Sequence, residues 1–450
     1  MFHGNQSCLR RCRRRAWPRR RGAWRAAGSS GAAPRPKRRR SGRRGARRGR
    51  RAGRAAPSGH AAAARRYNVA SKEESEVSQV EDEFAAFTGH NFALGLNSCG
   101  SAIFLMLKCA GAEHGDKVLT NGFTFTAVPS AIVHAGCEPV YVETTPGYVV
   151  DVPDLIKKMD AHPDAKYFIV SHMRGKIASM DEVREACEAR GVVLLEDCAH
   201  SLGVLWNGAH TGHHGSMAAF SSQSYKMLNS GEGGFLVCDD DFKFAKAMAY
   251  AGAYEVLAKK HERCPSQAAL DVAMDGSIPN FSLRMHEATA AMLRPQILTI
   301  EKRRAVYNER YYRIAARLDA LPGVSVESQR DEVTIVGDSV QFNVEAAVFG
   351  DDLEAGANAF IAQCEARGLP VERFGAKTNA RNFKNWRYGP QPDCGLPATA
   401  DIISRAFDVR LPLLFEEEDF DVMIEIVSEC LDNVRNGVFV VDEAPVAFAR

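Results

Sequence analysis

Residues 167–203 read YFIVSHMRGKIASMDEVREACEARGVVLLEDCAHSLG, and the fold turns on how this stretch is read. Two short apolar runs, YFIVSH (167–172) and VVLLED (192–197), have the length and character of buried strands. Between them SMDEVREACEARG (179–191) carries a helical pattern closed by glycine. Strands alternating with helices imply an α/β sheet, largely parallel, whose functional groups gather at the carboxyl ends of the strands.

The alternation continues on both sides. KVLTN (117–121), PVYVE (139–143), AAFSS (218–222) and GFLVC (234–238) read as further strands, and DVPDLIKKM (151–159) as another helix. Upstream, Val77, Val80, Phe84 and Phe87 fall on one helical face, with Gly89 as a stop. The resulting organisation is a leader over 1–66, an α/β domain over 67–285, a connecting helix over 286–320 and a smaller C-terminal α+β domain over 321–440. No internal repeat is visible.

The net charge of +3 conceals two unlike segments. The first 72 residues hold 24 of the 58 Lys and Arg and none of the 55 acids, so the remainder is strongly acidic. Bulk electrostatics therefore argues against nucleic acid as a partner of the globular part. The Arg-rich leader has the composition of a disordered segment. It reads as an organelle transit peptide (plastid or mitochondrion), as a basic arm, or as sequence upstream of the true start. No apolar run approaches the roughly 18–20 residues that span a bilayer. The twelve cysteines include no CxxC pair and read as buried thiols of a reducing compartment. His210, His213 and His214 read as a solvated loop, and no metal site is expected.

Three segments carry chemistry. LNSCGSAIFLMLKCAG (96–111) sets Ser98, Cys99, Gly100 and Ser101 before an apolar helix, an anion site or a plain helix cap. Asp197 ends the strand VVLLED, where a carboxylate faces the ligand crevice or caps a helix. Lys226 stands in FSSQSYKMLNSGEGG (220–234), between hydroxyls and glycines. An anion cradle, a carboxylate and an amine are the three needs of pyridoxal phosphate: a phosphate site, a partner for the ring nitrogen and a nucleophile for the aldehyde. His172, Arg174 and Lys176 follow a strand end, either to meet an anionic substrate or as a solvated turn.

With these motifs in this order, the chain from about Tyr67 to Val434 resembles the DegT/DnrJ/EryC1/StrS family of pyridoxal-phosphate sugar aminotransferases. The resemblance implies a fold-type-I architecture with a mostly parallel seven-stranded sheet. It implies that Lys226 forms the Schiff base, that Asp197 pairs with the ring nitrogen and that Phe125 stacks on the ring. His200 contacts the ring or its hydroxyl, and Ser98, Cys99, Gly100, Ser101 and Ser221 hold the phosphate. Ser282 and Arg284, in PNFSLRMHEATAAML, correspond to a segment that reaches into the neighbouring subunit of a homodimer. The implied reaction moves an amino group from glutamate or glutamine to a keto group on a nucleotide-linked sugar. The alternative is a pyridoxal-phosphate-binding regulatory or non-transaminating member. Cys99 and Gly100 stand where the family has glycine and threonine, and Ser282 where it has asparagine. Lysine at 226, rather than the histidine of dehydrating relatives, favours amino transfer.

Overall fold

Seven strands form the main sheet of the computed structural model, which describes residues 72–253, 255–388 and 396–439. The leader expected over 1–66 lies outside the described residues. In chain order the strands are β1 (Phe92–Leu96), β2 (Lys117–Asn121), β3 (Glu138–Val142), β4 (Tyr167–Ser171), β5 (Val193–Asp197), the short β6 (Leu205–Trp206) and β7 (Ala209–His210), β8 (Ala218–Ser221) and β9 (Gly234–Cys238). The main sheet runs β1-β9-β8-β5-β4-β2-β3. Its β3-β2-β4-β5-β8 part is parallel, and β9 joins β8 and β1 antiparallel. β1 carries no clear signal in the sequence; FALGL has a glycine at its fourth position and no β-branched residue.

Successive strand residues feed opposite faces, as a period of two requires. Leu119, Phe168, Val170 and Leu194 pack with the helices Val152–Ala161 and Met180–Glu188. Val118, Ile169 and Leu195 pack with Cys99–Ala110, Ala127–His134 and Asp241–Ala251. Helix Glu76–Thr88 stops at Gly89 (φ 82), a left-handed cap that glycine adopts without strain. With both faces covered, functional groups are expected where loops leave the strands' carboxyl ends, which is where Phe125, Arg174, His200 and Lys226 follow.

The stretch expected as one connecting helix is two, Glu287–Ile297 and Ile300–Asp319. Pro295 lacks an N–H and weakens the last turn of the first, and the chain breaks at Leu298 and Thr299. Beyond it β10 (Val324–Ser325), β11 (Val333–Thr334), β12 (Ser339–Val344), β13 (Glu372–Arg373) and β14 (Ala406–Arg410) follow. The antiparallel sheet β10-β12-β14-β13, covered by helices Leu353–Ala366 and Glu417–Arg435, is the smaller C-terminal α+β domain. β11 pairs instead with β6. The described cysteines are free thiols, and all but Cys99 and Cys264 are buried. Among the described residues, no helix is long and apolar enough to cross a membrane.

Candidate active site

Asp197 is the last residue of β5, and parallel register sets Ser171 of β4 beside it. Ser171 Oγ donates to Asp197 Oδ2 at 2.7 Å, and the Ala199 N–H donates to Oδ1 at 3.1 Å. Thr124 Oγ1 donates in turn to Ser171 Oγ at 2.8 Å. The carboxylate is thus oriented by the end of β4 and by the loop after β5, with Thr124 from the loop after β2 behind Ser171; Ser171 and Thr124 carry no signal in the sequence that marks them for this role. Burial raises its pKa, against the opposing pull of the Ser171 and Ala199 hydrogen bonds and of the Lys226 charge.

The neighbouring Glu196 points to the other face and serves a different purpose. Its Oε2 accepts from Gly212 N–H (2.9 Å) and meets His172 Nε2 (2.9 Å), and its Oε1 accepts from the N–H groups of His214 (2.7 Å) and Gly215 (2.6 Å). Burial acts to raise its pKa, but His172 and these donors outweigh burial and hold it at about 2. The ligand atoms of His172, Glu196 and Cys198 lie within 4.8 Å of one another. Four donors already occupy the Glu196 oxygens, so the cluster ties the 210–215 loop to the sheet. That loop is not the solvated group of histidines expected. His210 is buried between Gly203 N–H (2.9 Å) and Thr211 O (2.7 Å), and His213 stacks on His90 with centroids 3.8 Å apart.

Lys226 follows β8 in a loop closed by bonds from Ser222 N to Gly233 O (3.0 Å) and Ser224 N to Gly231 O (3.1 Å). Its half-buried Nζ lies 2.6 Å from His200 Nε2. Burial lowers the Lys226 pKa to about 7; Arg174 and Arg410 push the same way, against Cys99 and Asp197. His200 is driven well below its ordinary value by burial first, then by Lys226, Arg174, Arg381 and Arg410. It is therefore neutral at physiological pH. His200 stands three residues beyond Asp197, so the Lys226 amine meets the loop that follows the β5 carboxylate; burial raises the Cys99 pKa, as does Asp197, against Lys226.

The third component is the turn at Ser98. Ser98 caps the helix Cys99–Ala110 by accepting from Ser101 N–H at 3.0 Å, and Cys99, Gly100 and Ser101 form the helix's first turn rather than preceding it. The N–H groups of a first turn have no partner within the helix. Ser101 Oγ is 2.9 Å from Ser98 Oγ and donates to Asn97 Oδ1 at 2.7 Å. Register aligns Ser221 with Gly234, and Gly234 with Leu96, so Ser221 and the Ser98 turn flank one glycine. A Cβ on Gly234 would lie 2.5 Å from the Cys99 nitrogen and 2.7 Å from the Ser98 carbonyl carbon. That overlap is with backbone and no rotamer relieves it. Gly234→Ala is expected to destabilise the protein by about 1–3 kcal/mol, the range for overpacking; an unfolding midpoint equal to wild type in urea would reject this close approach.

Phe125 stands before helix Ala127–His134 with 40% of its surface exposed, and the Arg381 guanidinium lies 5.6 Å from its ring centroid. Ser282 and Arg284 lie elsewhere, along the edge of β1, where Asn97 N–H bonds to Leu283 O at 2.8 Å and Met285 N–H to Gly95 O at 3.1 Å. Arg284 Nη1 donates to the carbonyl of Gly252 at 2.9 Å. His172, Arg174 and Lys176 are buried rather than a solvated turn. Lys176 Nζ donates to Tyr311 OH at 2.9 Å, and His172 to Glu196, so two of the three are satisfied inside the protein.

A sequence profile of the DegT/DnrJ/EryC1/StrS aminotransferase family matches residues 60–427. The chain belongs to this family. It is 34% identical over 166 residues to the spore coat polysaccharide biosynthesis protein SpsC of Bacillus subtilis, an alignment covering 37% of this chain and 42% of that protein. It is 31% identical over 250 residues to 3-amino-5-hydroxybenzoate synthase of Amycolatopsis mediterranei, covering 55% of this chain and 61% of that one. The chain thus spans about two fifths to three fifths of the length of these curated relatives. The crystal structure of a 3-amino-5-hydroxybenzoic acid synthase superposes with a TM-score of 0.68 at 25% identity, over 80% of this chain and 91% of that one.

The DegT/DnrJ/EryC1/StrS fold implies pyridoxal phosphate, and the donor set here suits it. A half-buried amine, a buried carboxylate, an accessible aromatic face and a helix N-terminus beside a glycine-lined backbone are the complementary groups for an aldehyde, a ring nitrogen, a flat ring and a phosphate.

Proposed function

We propose that the protein is a pyridoxal-phosphate-dependent aminotransferase that takes an amino group from glutamate or glutamine and delivers it to a keto group, the acceptor being a nucleotide-linked sugar or a related cyclic ketone. The observation that carries this reading is that Lys226 Nζ lies 2.6 Å from the ring of His200, three residues beyond the strand-end Asp197. The names of relatives, among them an L-glutamine:2-deoxy-scyllo-inosose aminotransferase of Streptomyces paromomycinus, support the donor and the ring-shaped acceptor.

In this reading Lys226 would hold the cofactor through its aldehyde, Asp197 would pair with the ring nitrogen, Phe125 would pack on the ring, and the Ser98–Ser101 turn with Ser221 would hold the phosphate. When bound, the cofactor supplies an electron sink for the substrate carbon. Lys226, once its amine is free, moves the proton at that carbon as base and then as acid. A pKa near 7 suits both roles, because amine and ammonium coexist at working pH. His200, neutral and 2.6 Å from Nζ, holds the amine in place between these transfers. Asp197, with both oxygens hydrogen-bonded, keeps its orientation while it compensates a protonated ring nitrogen. The protein is proposed to act as a homodimer, with the Ser282–Arg284 stretch at the subunit boundary.

The deciding experiment adds L-glutamate to the cofactor-loaded protein and follows the visible band. Loss of the band, and its return with keto compounds, supports amino transfer; a band indifferent to every amino acid tried points instead to the regulatory alternative. A pH series gives a second test. Only the neutral amine attacks an aldehyde, so capture of pyridoxal phosphate by the cofactor-free protein should speed up as pH rises through about 7 and level off above it. An ordinary lysine, with a pKa of roughly 10.4, would keep gaining about tenfold per pH unit up to pH 9.

A further inference from the structure

Three arginines from distant parts of the chain gather beside His200: a Cβ on Gly175, next to Arg174, would lie 3.1 Å from the His200 carbonyl oxygen, Arg174 and Arg381 share Glu372, and Arg174 also holds Asp408, two residues before Arg410. Arg174 follows β4, Arg381 follows β13 and Arg410 ends β14. The charges of all three act on His200, and those of Arg174 and Arg410 on Lys226. Each guanidinium is held from behind by carboxylates. Arg174 Nη2 donates to Glu372 Oε2 and Asp408 Oδ2, both at 2.7 Å; Arg381 Nη1 donates to Glu372 Oε1 at 2.6 Å; Arg410 Nη1 donates to Asp338 Oδ2 at 2.8 Å. Gln341 Nε2 fixes Asp408 from the other side at 2.7 Å.

What the carboxylates leave over is informative. The Arg174 side chain is 1% exposed, yet its Nε and Nη1 have no partner, and neither has Arg381 Nε. Buried donors are normally satisfied, and leaving one unpaired costs about 1–3 kcal/mol. Arg174 also holds a left-handed backbone (φ 59), which is unfavourable for any residue but glycine. A clamp that only joined the two domains would gain nothing from unpaired donors and a strained backbone beside a reactive lysine. Arg410 keeps 35% of its side chain exposed, and the Arg381 guanidinium lies 5.6 Å from the centroid of the Phe125 ring. A guanidinium fixed along one edge is the receptor for a flat, two-oxygen anion along the other.

We propose that Arg381 and Arg410, backed by Arg174, form a carboxylate-recognition site for the molecule whose amino or keto carbon is presented to Lys226. This deepens the aminotransferase reading and rests on it. The carboxylate belongs either to the amino donor alone or to donor and acceptor alike, and the two sources are separable.

The test is calorimetric titration of the cofactor-loaded protein with glutarate and with its neutral counterpart glutaramide. Wild type should bind glutarate and discriminate against glutaramide. Arg410→Met and Arg381→Met should each weaken glutarate roughly 10- to 100-fold, the loss of a charge-assisted pair, and Arg410→Lys should not restore it, because an ammonium cannot reproduce the fork. Unchanged glutarate affinity in Arg410→Met overturns the proposal; that side chain is partly exposed, so folding does not obscure the result. Single half-reactions then assign the source. If only the donor supplies the carboxylate, Arg410→Met slows the reaction with L-glutamate far more than that with cyclohexanone, and its rates with cyclohexanone and 3-oxocyclohexanecarboxylate keep the wild-type ratio. If the acceptor supplies one too, wild type prefers 3-oxocyclohexanecarboxylate to cyclohexanone and the variant loses the preference. Glutarate binding is read as heat, so it stands or falls separately from whether L-glutamate changes the visible band.

Discussion

Lys226→Ala is expected to yield a folded protein that forms no reducible bond with pyridoxal phosphate and whose amino transfer falls by more than about 10⁴-fold. General acid–base work alone contributes roughly 10²–10⁴, and the covalent attachment is lost with it. The fold should tolerate the change. Lys226 Nζ meets a neutral histidine, and the buried Asp197 keeps its hydrogen bonds from Ser171 and Ala199, so no charge loses a direct partner. Borohydride treatment followed by peptide mass analysis should mark Lys226 in wild type and nothing in the variant. Transfer from L-glutamate at the wild-type rate in the variant would refute the assigned role.

Asp197→Asn should separate activity from stability. Turnover is expected to fall about 10²–10³-fold, the usual loss when a preorganised electrostatic partner is removed, while capture of the cofactor by Lys226 is much less affected. Stability should stay level or rise. Burial raises the folded-state pKa of Asp197, so ionising it costs more in the folded protein than in the unfolded chain. Its contribution is fully present below the unfolded pKa and is lost as pH rises through the folded one, leaving a net penalty for the ionised group near neutrality. Asparagine removes that penalty and keeps an oxygen for the Ala199 N–H, while the Ser171 hydroxyl can turn to accept from the new amide. A charge that weakens the fold and strengthens the reaction belongs to function. A variant with lower stability and full turnover would mark Asp197 as structural.

Much of the fold was open to reading because its determinants are local. Strands β2, β3, β4, β5, β8 and β9 announced themselves as apolar runs of strand length, and Gly89 closed its helix as a left-handed cap. β1 did not, since FALGL lacks the branched residues that mark a strand and owes its conformation to pairing with β9. The break at Leu298 was obscured by a helical pattern that continues on both sides of it. The histidines of 210–214 looked solvated because their partners, Thr88, Glu196 and Gly203, lie in other segments.

By itself the sequence determined the alternation of strands and helices, and with it the positions of Asp197, Lys226 and the Ser98 turn at strand ends and a helix start, because side-chain periodicity and capping act over a few residues. Only the tertiary structure decided that Ser171 stands beside Asp197, that Gly234 lets two backbones touch, and that Arg174 and Arg381, far apart in the chain, share Glu372 while Arg174 also holds Asp408. Those facts depend on strand order, register and the seating of the smaller domain, which are set by contacts between residues far apart along the chain.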